Sequence, residues 1–456
     1  MPRRPGDPSS IQGPSRRPLL AFPAVAAQGT GMDGRPRGRA RWPRRHPLLT
    51  VLAALAVIVV TLGGTLLVRQ HANQAQTAAR QQALAPFYDV PGSAVAGPPG
   101  SVIRSEPLDF APAGSRGWRL LFRSQDATGR PTVSSGMVFA PDGPTPAGGR
   151  PVLAWAHGTV GMGPACAPSR AQNPLSQLDP FLGAVLQQGW VVTAPDYAGL
   201  GTPGVLAYLI GAAEAHDVLN SVRAARSLAQ AGAGTTLAIW GHSQGGQSSL
   251  FAAALAASYA PELRLVAAGA AAPAAEVVPL FRQQYDKAIV WAIGPEVAVA
   301  WPATYPGLAV SDVLTPVGLR AYQQTAHLCV VGAALQGIVR QDLLRQKFFG
   351  VDPTANPAWR APLEANTAPL PPPGIPLLIA QGLADQVVLP DTTALLVQRY
   401  CAAGAPLTTF WDPGASHAQI ATAAGPMFAS WLADRTAGRP QQSSCGEPLP
   451  VTPASP

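Results

Sequence analysis

Residues 235–250 read TTLAIWGHSQGGQSSL, and the fold turns on how this stretch is read. Leu237-Ala238-Ile239-Trp240 is an apolar run of the length of a short buried strand. It leads straight into Gly241-His242-Ser243-Gln244-Gly245-Gly246, after which Gln247 to Tyr259 is Ala-rich and reads as a helix. A serine at the centre of G-x-S-x-G, between strand and helix, needs a sharp and strained turn. Gly241 and Gly245 carry no Cβ, so the incoming strand and outgoing helix can approach closely. The turn lifts the Ser243 hydroxyl off the sheet, and the helix N-terminus behind it favours developing negative charge. The five-residue pattern recurs by chance in many chains. The strand before it and the helix after it make Ser243 a candidate nucleophile rather than part of a structural glycine turn.

Strands and helices alternate outward from this point. Trp118 to Arg123 and Thr132 to Ala140 read as a hairpin joined through Asp126 to Gly129. Pro151 to Ala156 is a strand ending at His157-Gly158-Thr159. Pro180 to Gln188 reads as a helix, with Asp179 as N-cap and Pro180 at its first position. Trp190 to Ala194 is a strand, and Glu214 to Leu228 is a helix with Val218, Leu219, Val222, Ala225 and Leu228 on one face. Leu263 to Ala268, Ile375 to Ala380 and Leu407 to Trp411 supply three further strands. Such alternation specifies an α/β class with a mostly parallel sheet and helices on both faces.

Ala272 to Leu370 breaks the rhythm with helical stretches, prolines and many aromatic residues, among them Phe281, Trp291, Trp301 and Trp359. As an ordinary helical subdomain it would use these aromatics as core. As a cap over the active site it would line an apolar substrate pocket. The two readings are compatible. The chain then divides into a core over 104–271 and 371–440, a helical cap insertion over 272–370, and a C-terminal tail over 441–456.

The N-terminal region differs in kind. The formal charge is +8, and residues 1–46 hold ten arginines against Asp7 and Asp33, so the remaining residues sum to zero. A basic body that binds nucleic acid is not supported; the basic character belongs to a Pro-, Gly- and Arg-rich tail read as disordered and cytoplasmic. Pro47 to Val68 is 22 residues without a charge, roughly 33 Å as a helix and long enough for a bilayer core. Arginines precede it and only Arg69 follows closely, so the positive-inside rule places the rest outside. The run exceeds the usual signal-peptide core of roughly 7 to 15 residues. A transmembrane signal anchor is therefore the first reading, with cleavage near 72–79 or a start at Met32 as the alternatives. Residues 69–103 read as a stalk and a Pro/Gly lead-in.

The four cysteines, Cys166, Cys329, Cys401 and Cys445, show no metal-binding spacing, and beyond a membrane two disulfides are expected. Of three possible pairings, order along the chain favours Cys166 with Cys329 and Cys401 with Cys445.

A serine nucleophile needs a base and an acid, which follow it in the order Ser, acid, His when a G-x-S-x-G elbow carries the serine. Of seven histidines only His327 and His417 follow Ser243. His327 lies in the helical insertion, whereas His417 closes the turn-rich run Asp412-Pro413-Gly414-Ala415-Ser416 after the last strand. His417 is the expected base. Asp385 follows the Ile375 to Ala380 strand, at a strand's C-terminal end where α/β sheets bind ligands, and is the expected acid. Asp391 and Asp412 are its rivals, as a helix cap and a turn residue. The oxyanion formed on attack needs two backbone N–H donors: Gln244, and Thr159 or Gly158 in the loop after the Pro151 strand. His157 is expected to brace that loop.

Gly199-Leu200-Gly201-Thr202-Pro203-Gly204 matches G-x-G-x-x-G, but Pro203 and the absence of a compact βαβ unit argue for a loop shaping the pocket floor. No sequence pattern calls for a metal or another cofactor.

From about Phe87 to about Leu432 the sequence resembles the secretory lipase family of α/β-hydrolases. The resemblance rests on Phe87-Tyr88, Ala156-His157-Gly158-Thr159 with Cys166 downstream, Pro195-Asp196-Tyr197-Ala198-Gly199-Leu200-Gly201 and Gly241-His242-Ser243-Gln244-Gly245-Gly246. Gln381-Gly382 with Asp385, and the loop around His417, complete it. The resemblance implies an α/β-hydrolase fold with an inserted helical cap and a triad at Ser243, Asp385 and His417. It also implies a secreted hydrolase of acyl esters, including triacylglycerols; the long basic tail departs from that pattern.

The resulting expectation is an extracytoplasmic serine esterase or lipase that needs no cofactor and takes a small-molecule or lipid ester. It would be held to the membrane by its N-terminal segment or released by cleavage. The alternatives are an acyltransferase or serine peptidase with the same constellation, and a catalytically silent surface-binding protein.

Overall fold

A computed structural model of the chain describes residue 69 and residues 71–456. The expected basic tail and the expected membrane span at 47–68 lie outside the described residues. Among the described residues, no helix is long and apolar enough to cross a membrane.

The nine strands are β1 (Val102–Pro107), β2 (Ser115–Gln125), β3 (Pro131–Pro141), β4 (Arg150–Ala156), β5 (Val191–Pro195), β6 (Ala233–His242), β7 (Arg264–Ala271), β8 (Leu377–Gly382) and β9 (Leu407–Asp412). They form one sheet in the order β1-β2-β3-β5-β4-β6-β7-β8-β9. The first three strands and the β3–β5 pair are antiparallel; from β5 through β9 every pairing is parallel. Central β6 is buried from Leu237 to Gly241, as a strand covered on both faces must be.

The covering helices are α1 (residues 71–88), α2 (Leu182–Gln187), α3 (Gly211–Ser227), α4 (Gln244–Tyr259), α10 (Pro390–Ala402) and α11 (His417–Thr436); the cap contributes those between. Consecutive side chains of β6 decide the layering. Trp240 stacks on Phe428 of α11 at 4.3 Å between ring centroids. A Cβ on its neighbour Gly241 would stand 2.0 Å from the Gly245 carbonyl oxygen of α4. Since successive strand residues point to opposite faces, α11 and α4 lie on opposite sides. Helix α2 packs beside α11, and α3 beside α4.

Several elements differ from the sequence expectation. Helix α2 begins at Leu182 with Phe181 as N-cap, so Asp179 caps nothing; residues 174–180 wind through turns instead. His417 is not in a loop but is the first residue of α11, whose N-cap Ser416 forms a capping box with Gln419. Asp391 lies in the first turn of α10 rather than at its N-cap, which is Leu389. The Gly199–Gly204 loop does not floor the cavity over Ser243; Thr202 Oγ1 donates to the Val133 carbonyl and Arg170 to the Gly201 carbonyl, fastening it elsewhere. The stalk is helical over 71–88 but does not stand free. Arg80 and Gln81 donate to the Arg170 carbonyl at 3.1 Å each, and Phe87 and Tyr88 are buried. The C-terminal tail is docked too: Ser444 N–H donates to the Leu407 carbonyl at 2.8 Å, shielding edge strand β9.

Between β7 and β8, which are neighbours in the sheet, the chain makes the helical excursion α5 (Val277–Gln284), α6 (Val290–Thr304), α7 (Pro316–Ala326), α8 (Val330–Ile338) and α9 (Pro357–Ala365). Trp291, Trp301 and Trp359 are fully buried in its interior, the latter two stacked. The wall it gives the catalytic cavity is largely aliphatic, with Phe281 as its one aromatic.

Helix α8 is turned inside out. Its small residues Ala333 and Gly337 face inward, and a Cβ on Gly337 would stand 2.7 Å from the Ala288 carbonyl oxygen. Val331, Leu335 and Ile338 point to solvent, and a single π-helical turn, Val339–Leu343, extends this apolar face to Leu343 and Leu344. Both disulfides pair in the order expected. Cys166–Cys329 ties the loop after β4 to the start of α8, and Cys401–Cys445 holds the tail to α10.

Candidate active site

Ser243 sits at φ 59°, ψ −121°, a left-handed conformation that costs free energy at a non-glycine residue. Close packing imposes it. A Cβ on Gly245 would stand 1.9 Å from the Ala156 carbonyl oxygen, so β4, β6 and α4 meet backbone to backbone. Ser243 N–H donates to the Ala271 carbonyl at 2.9 Å, fixing the turn against β7.

The three residues singled out from sequence converge here. His417 Nε2 lies 2.9 Å from Ser243 Oγ, and His417 Nδ1 lies 2.7 Å from Asp385 Oδ2. Asp385 is fully buried, its Oδ1 accepting the N–H groups of Val387 at 2.8 Å and Val388 at 3.0 Å. Gln381 Nε2 donates to Oδ2 at 3.2 Å. Three donors thus hold the carboxylate toward the imidazole. The rivals are occupied elsewhere: Asp412 Oδ1 accepts from Gly414 and Ala415 N–H in a turn, and Asp391 accepts from Gln283. His327 is exposed and bonds only within its own helix turn.

His242 Nε2–H donates to the His417 carbonyl at 3.0 Å, bracing the start of α11. Burial, with the neighbouring His417 imidazole second, pushes the His242 pKa down to about 3, so it is a neutral donor there.

Among the described residues, no acceptor takes the backbone N–H of Gln244 or of Thr159, and both residues line the cavity. Gly158 N–H is engaged, donating to Gln177 Oε1 at 3.0 Å. Of the two candidates in this loop, that leaves Thr159 with its N–H free. His157 braces the loop as expected, with Nδ1 2.7 Å from the Gly158 carbonyl and Nε2 3.1 Å from that of Asp196.

The cavity above Ser243 measures about 420 Å³. Leu280, Phe281, Ile289, Ile293, Val331 and Val388 give it an overwhelmingly apolar wall. No Asp, Glu, Lys or Arg is among the residues lining it; its polar groups include Ser243, His417, Gln244 and Thr159.

Sequence reasoning missed Glu214, Gln177, Tyr208 and Asn366. Glu214 in particular looked like a first-turn acid opening a helix, where such residues are common on exposed surfaces. It is buried instead, and burial lifts its pKa to about 7 against the hydrogen bonds that lower it. Asp217, one turn on, is likewise raised to about 7 by burial, and accepts Ala198 N–H at 2.7 Å.

The sequence model of the family described as secretory lipase matches residues 168–444. The chain belongs to the secretory lipase family. The chain is 26% identical over 390 residues to Lipase A of Arthroderma benhamiae, the match covering 79% of this chain and 81% of that one. It is 27% identical over 380 residues to a probable inactive lipase of Mycobacterium tuberculosis, covering 78% and 82%. In fold it is similar to Candida antarctica lipase A, with a TM-score of 0.65, 21% identity and coverage of 81% and 90%. A rice cell wall degrading esterase of Xanthomonas oryzae superposes with a TM-score of 0.63 at 19% identity, covering 76% and 100%. The chain is a carboxylic ester hydrolase with an α/β-hydrolase-like fold.

Proposed function

We propose that the protein cleaves lipid acyl esters by a serine mechanism in which Ser243, His417 and Asp385 act as nucleophile, base and acid. The observation that carries this reading is the unbroken chain of contacts from Ser243 Oγ through the His417 imidazole to the buried Asp385 carboxylate. His417 Nε2 takes the Ser243 proton as Oγ attacks the ester carbonyl carbon, and Asp385 stabilises the imidazolium that forms. The negative oxygen of the tetrahedral intermediate accepts from the N–H groups of Gln244 and Thr159. Collapse breaks the bond to the alcohol, which leaves with the proton from His417. Water, deprotonated in turn by His417, attacks the acyl-Ser243 carbonyl and releases the carboxylic acid.

Two features favour a lipid ester over a small soluble one. The aliphatic cavity suits an acyl chain, and Val331 belongs both to its wall and to the exposed apolar face of α8. An aggregated ester surface meeting that face would deliver chains to the cavity mouth without crossing water. The core over 104–271 and 371–440 then supplies the chemistry, and the cap over 272–370 the substrate surface.

The ten arginines of residues 1–46 and the uncharged run at 47–68 support a cytoplasmic tail and a membrane anchor, with the enzyme outside. The two disulfides suit an oxidising compartment.

Hydrolysis of p-nitrophenyl esters of increasing acyl length by wild type and Ser243→Ala tests the reading. Turnover of medium and long chains that vanishes in Ser243→Ala is the expected result. A preference for short soluble esters would replace lipase by esterase, and undiminished turnover in Ser243→Ala would sink the mechanism.

A further inference from the structure

Three donors from two segments, α4 and the turn before α3, converge on one buried carboxyl group behind the catalytic serine. Gln244 Nε2 donates to Glu214 Oε1 at 2.6 Å, and Leu209 N–H donates to the same oxygen at 2.9 Å. Ser248 Oγ donates to Glu214 Oε2. Each donor matters to the oxyanion site. Gln244 carries one of the two free backbone N–H groups. Leu209 sits at φ 55° and follows Tyr208, whose hydroxyl lies 2.9 Å from Thr159 Oγ1, on the residue that carries the other. Ser248 also lies 3.0 Å from the Gln244 carbonyl, one turn along α4.

We infer that Glu214 is the positioning residue of the oxyanion hole, fixing the Gln244 side and, through Leu209 and Tyr208, the Thr159 side against each other. It touches no substrate. A pair of amides aimed at a developing charge is effective only when both directions are held. Glu214 ties α4 to the Leu209 segment, while the Tyr197 hydroxyl, donating to the His157 carbonyl at 3.3 Å and to Ser248 Oγ at 3.2 Å, is a separate tie between α4 and the loop after β4. A carboxyl group meets the geometry in either protonation state, because two N–H donors arrive at Oε1 and a hydroxyl that can donate or accept stands at Oε2. This inference rests on the ester-hydrolysis reading above.

The surroundings of Glu214 give the test a readout that packing alone would not move. The titratable groups facing it are Asp217 on its own helix, Tyr197 after β5, Tyr208 before α3 and Glu296 from α6 of the cap. No cation is among them. Glu296 is itself buried, with Oε2 lacking any partner among the described residues. Ionisation of Glu214 therefore places negative charge, uncompensated by a cation, behind a site that must stabilise an oxyanion. Ser248 accommodates both protonation states, since its hydroxyl can turn to the Gln244 carbonyl when Glu214 holds a proton.

The experiment compares the full chain with Glu214→Gln, Glu214→Leu and Gln244→Met on a soluble p-nitrophenyl ester, reading kcat and KM from pH 5 to 9 alongside Tm. Glu214→Leu should lose up to about 100-fold in kcat with little change in KM, as for a misplaced transition-state contact. Glu214→Gln keeps an acceptor oxygen for Gln244 and Leu209 and should recover most of that loss. Its kcat should overtake the wild type above pH 7, where only the wild type gains the charge. Gln244→Met keeps the backbone N–H but cuts its tie to Glu214, and should lower kcat in the same way; it decides the matter should Glu214→Leu not fold. Unchanged kcat in a folded Glu214→Leu or in Gln244→Met overturns the inference, as does a Glu214→Gln no better than Glu214→Leu. Failure of the wild type to hydrolyse any ester would instead refute the underlying reading.

Discussion

A Cβ on Gly382 would stand 2.2 Å from the carbonyl oxygen of Ala415. The loop that carries the acid and the turn that leads to the histidine thus touch backbone to backbone. Leu383 N–H donates to the Asp412 carbonyl at 2.8 Å and Ala384 N–H to the Ala415 carbonyl at 3.2 Å, zipping the two together. Gly382→Ala must push these loops apart. The expected result is a fall in kcat of up to about 100-fold, from displacement of His417 relative to Asp385, with a smaller effect on KM. Steady-state kinetics on a soluble ester measures both, and unchanged kcat would mean the loops can separate without cost.

Asp385→Asn keeps the shape of the acid but removes its charge and invites the wrong imidazole tautomer. A loss of roughly 10⁴ in kcat is expected, against a larger loss, on the order of 10⁶, for Ser243→Ala. Titration with an active-site phosphonate alongside the rates distinguishes a slow enzyme from an unfolded one.

The two disulfides should separate stability from activity. Cys166–Cys329 joins residues 163 apart and anchors α8 beside the oxyanion loop, where Val330 N–H also donates to the Val160 carbonyl at 2.9 Å. Cys401–Cys445 ties down the tail, away from the cavity. Removing either should cost about 2–5 kcal/mol of stability. Only replacement of Cys166 and Cys329 by serine should also reduce turnover at temperatures where the protein remains folded. Equal activity in both double mutants would break the link between α8 and the oxyanion loop.

Stability should decline as pH rises through neutrality. Glu214 and Asp217 each have a folded pKa raised to about 7 by burial, above their ordinary values of 4.5 and 3.8. A raised acid binds more protons folded than unfolded between those values, so ∂ΔG/∂pH is negative there. Their contribution is fully present below about pH 4 and is lost as pH rises past 7. Glu296, raised by burial and by Glu214, extends the loss upward. Tm scans of wild type against Glu214→Gln and Asp217→Asn should show both variants less sensitive to pH between 5 and 8. Parallel curves would place the titrating groups elsewhere.

The outward apolar face of α8 should matter only when the ester is aggregated. Leu335 and Leu343 are 60% and 72% exposed and are not among the residues lining the cavity. Replacing both by serine should slow hydrolysis of an emulsified triacylglycerol while monomeric short-chain ester turnover stays near wild type. Equal slowing on both substrates would argue against a surface-docking role.

Much of this was legible before any coordinates, and for stated reasons. A buried parallel strand is a short apolar run, and the elbow after it demands glycines where backbones collide, so Leu237 to Gly245 announce themselves locally. Asp385 and His417 were recoverable because strand ends fix where loops gather, and because few histidines follow Ser243. The start of α2, the capping of His417 at the head of α11 and the role of the Gly199–Gly204 loop were not. The Gly199–Gly204 loop is fastened by Val133 and Arg170, far off in sequence, and the head of α11 is braced by distant His242, although its S-x-x-Q box at Ser416–Gln419 is itself local.

Sequence by itself determined the alternation of strands and helices, the strand-to-helix turn at Ser243, the choice of Asp385 and His417 as the residues to meet it and the presence of an inserted helical segment, because each of these is encoded in local periodicity or chain order. Only the tertiary structure decided which loop amide stays free for an oxyanion, which side of α8 meets solvent, and that Glu214 lies buried beneath Gln244. Those depend on what a group meets across the fold, and a carboxyl that looks solvated in a helix's first turn becomes something else when three donors and a cap close over it.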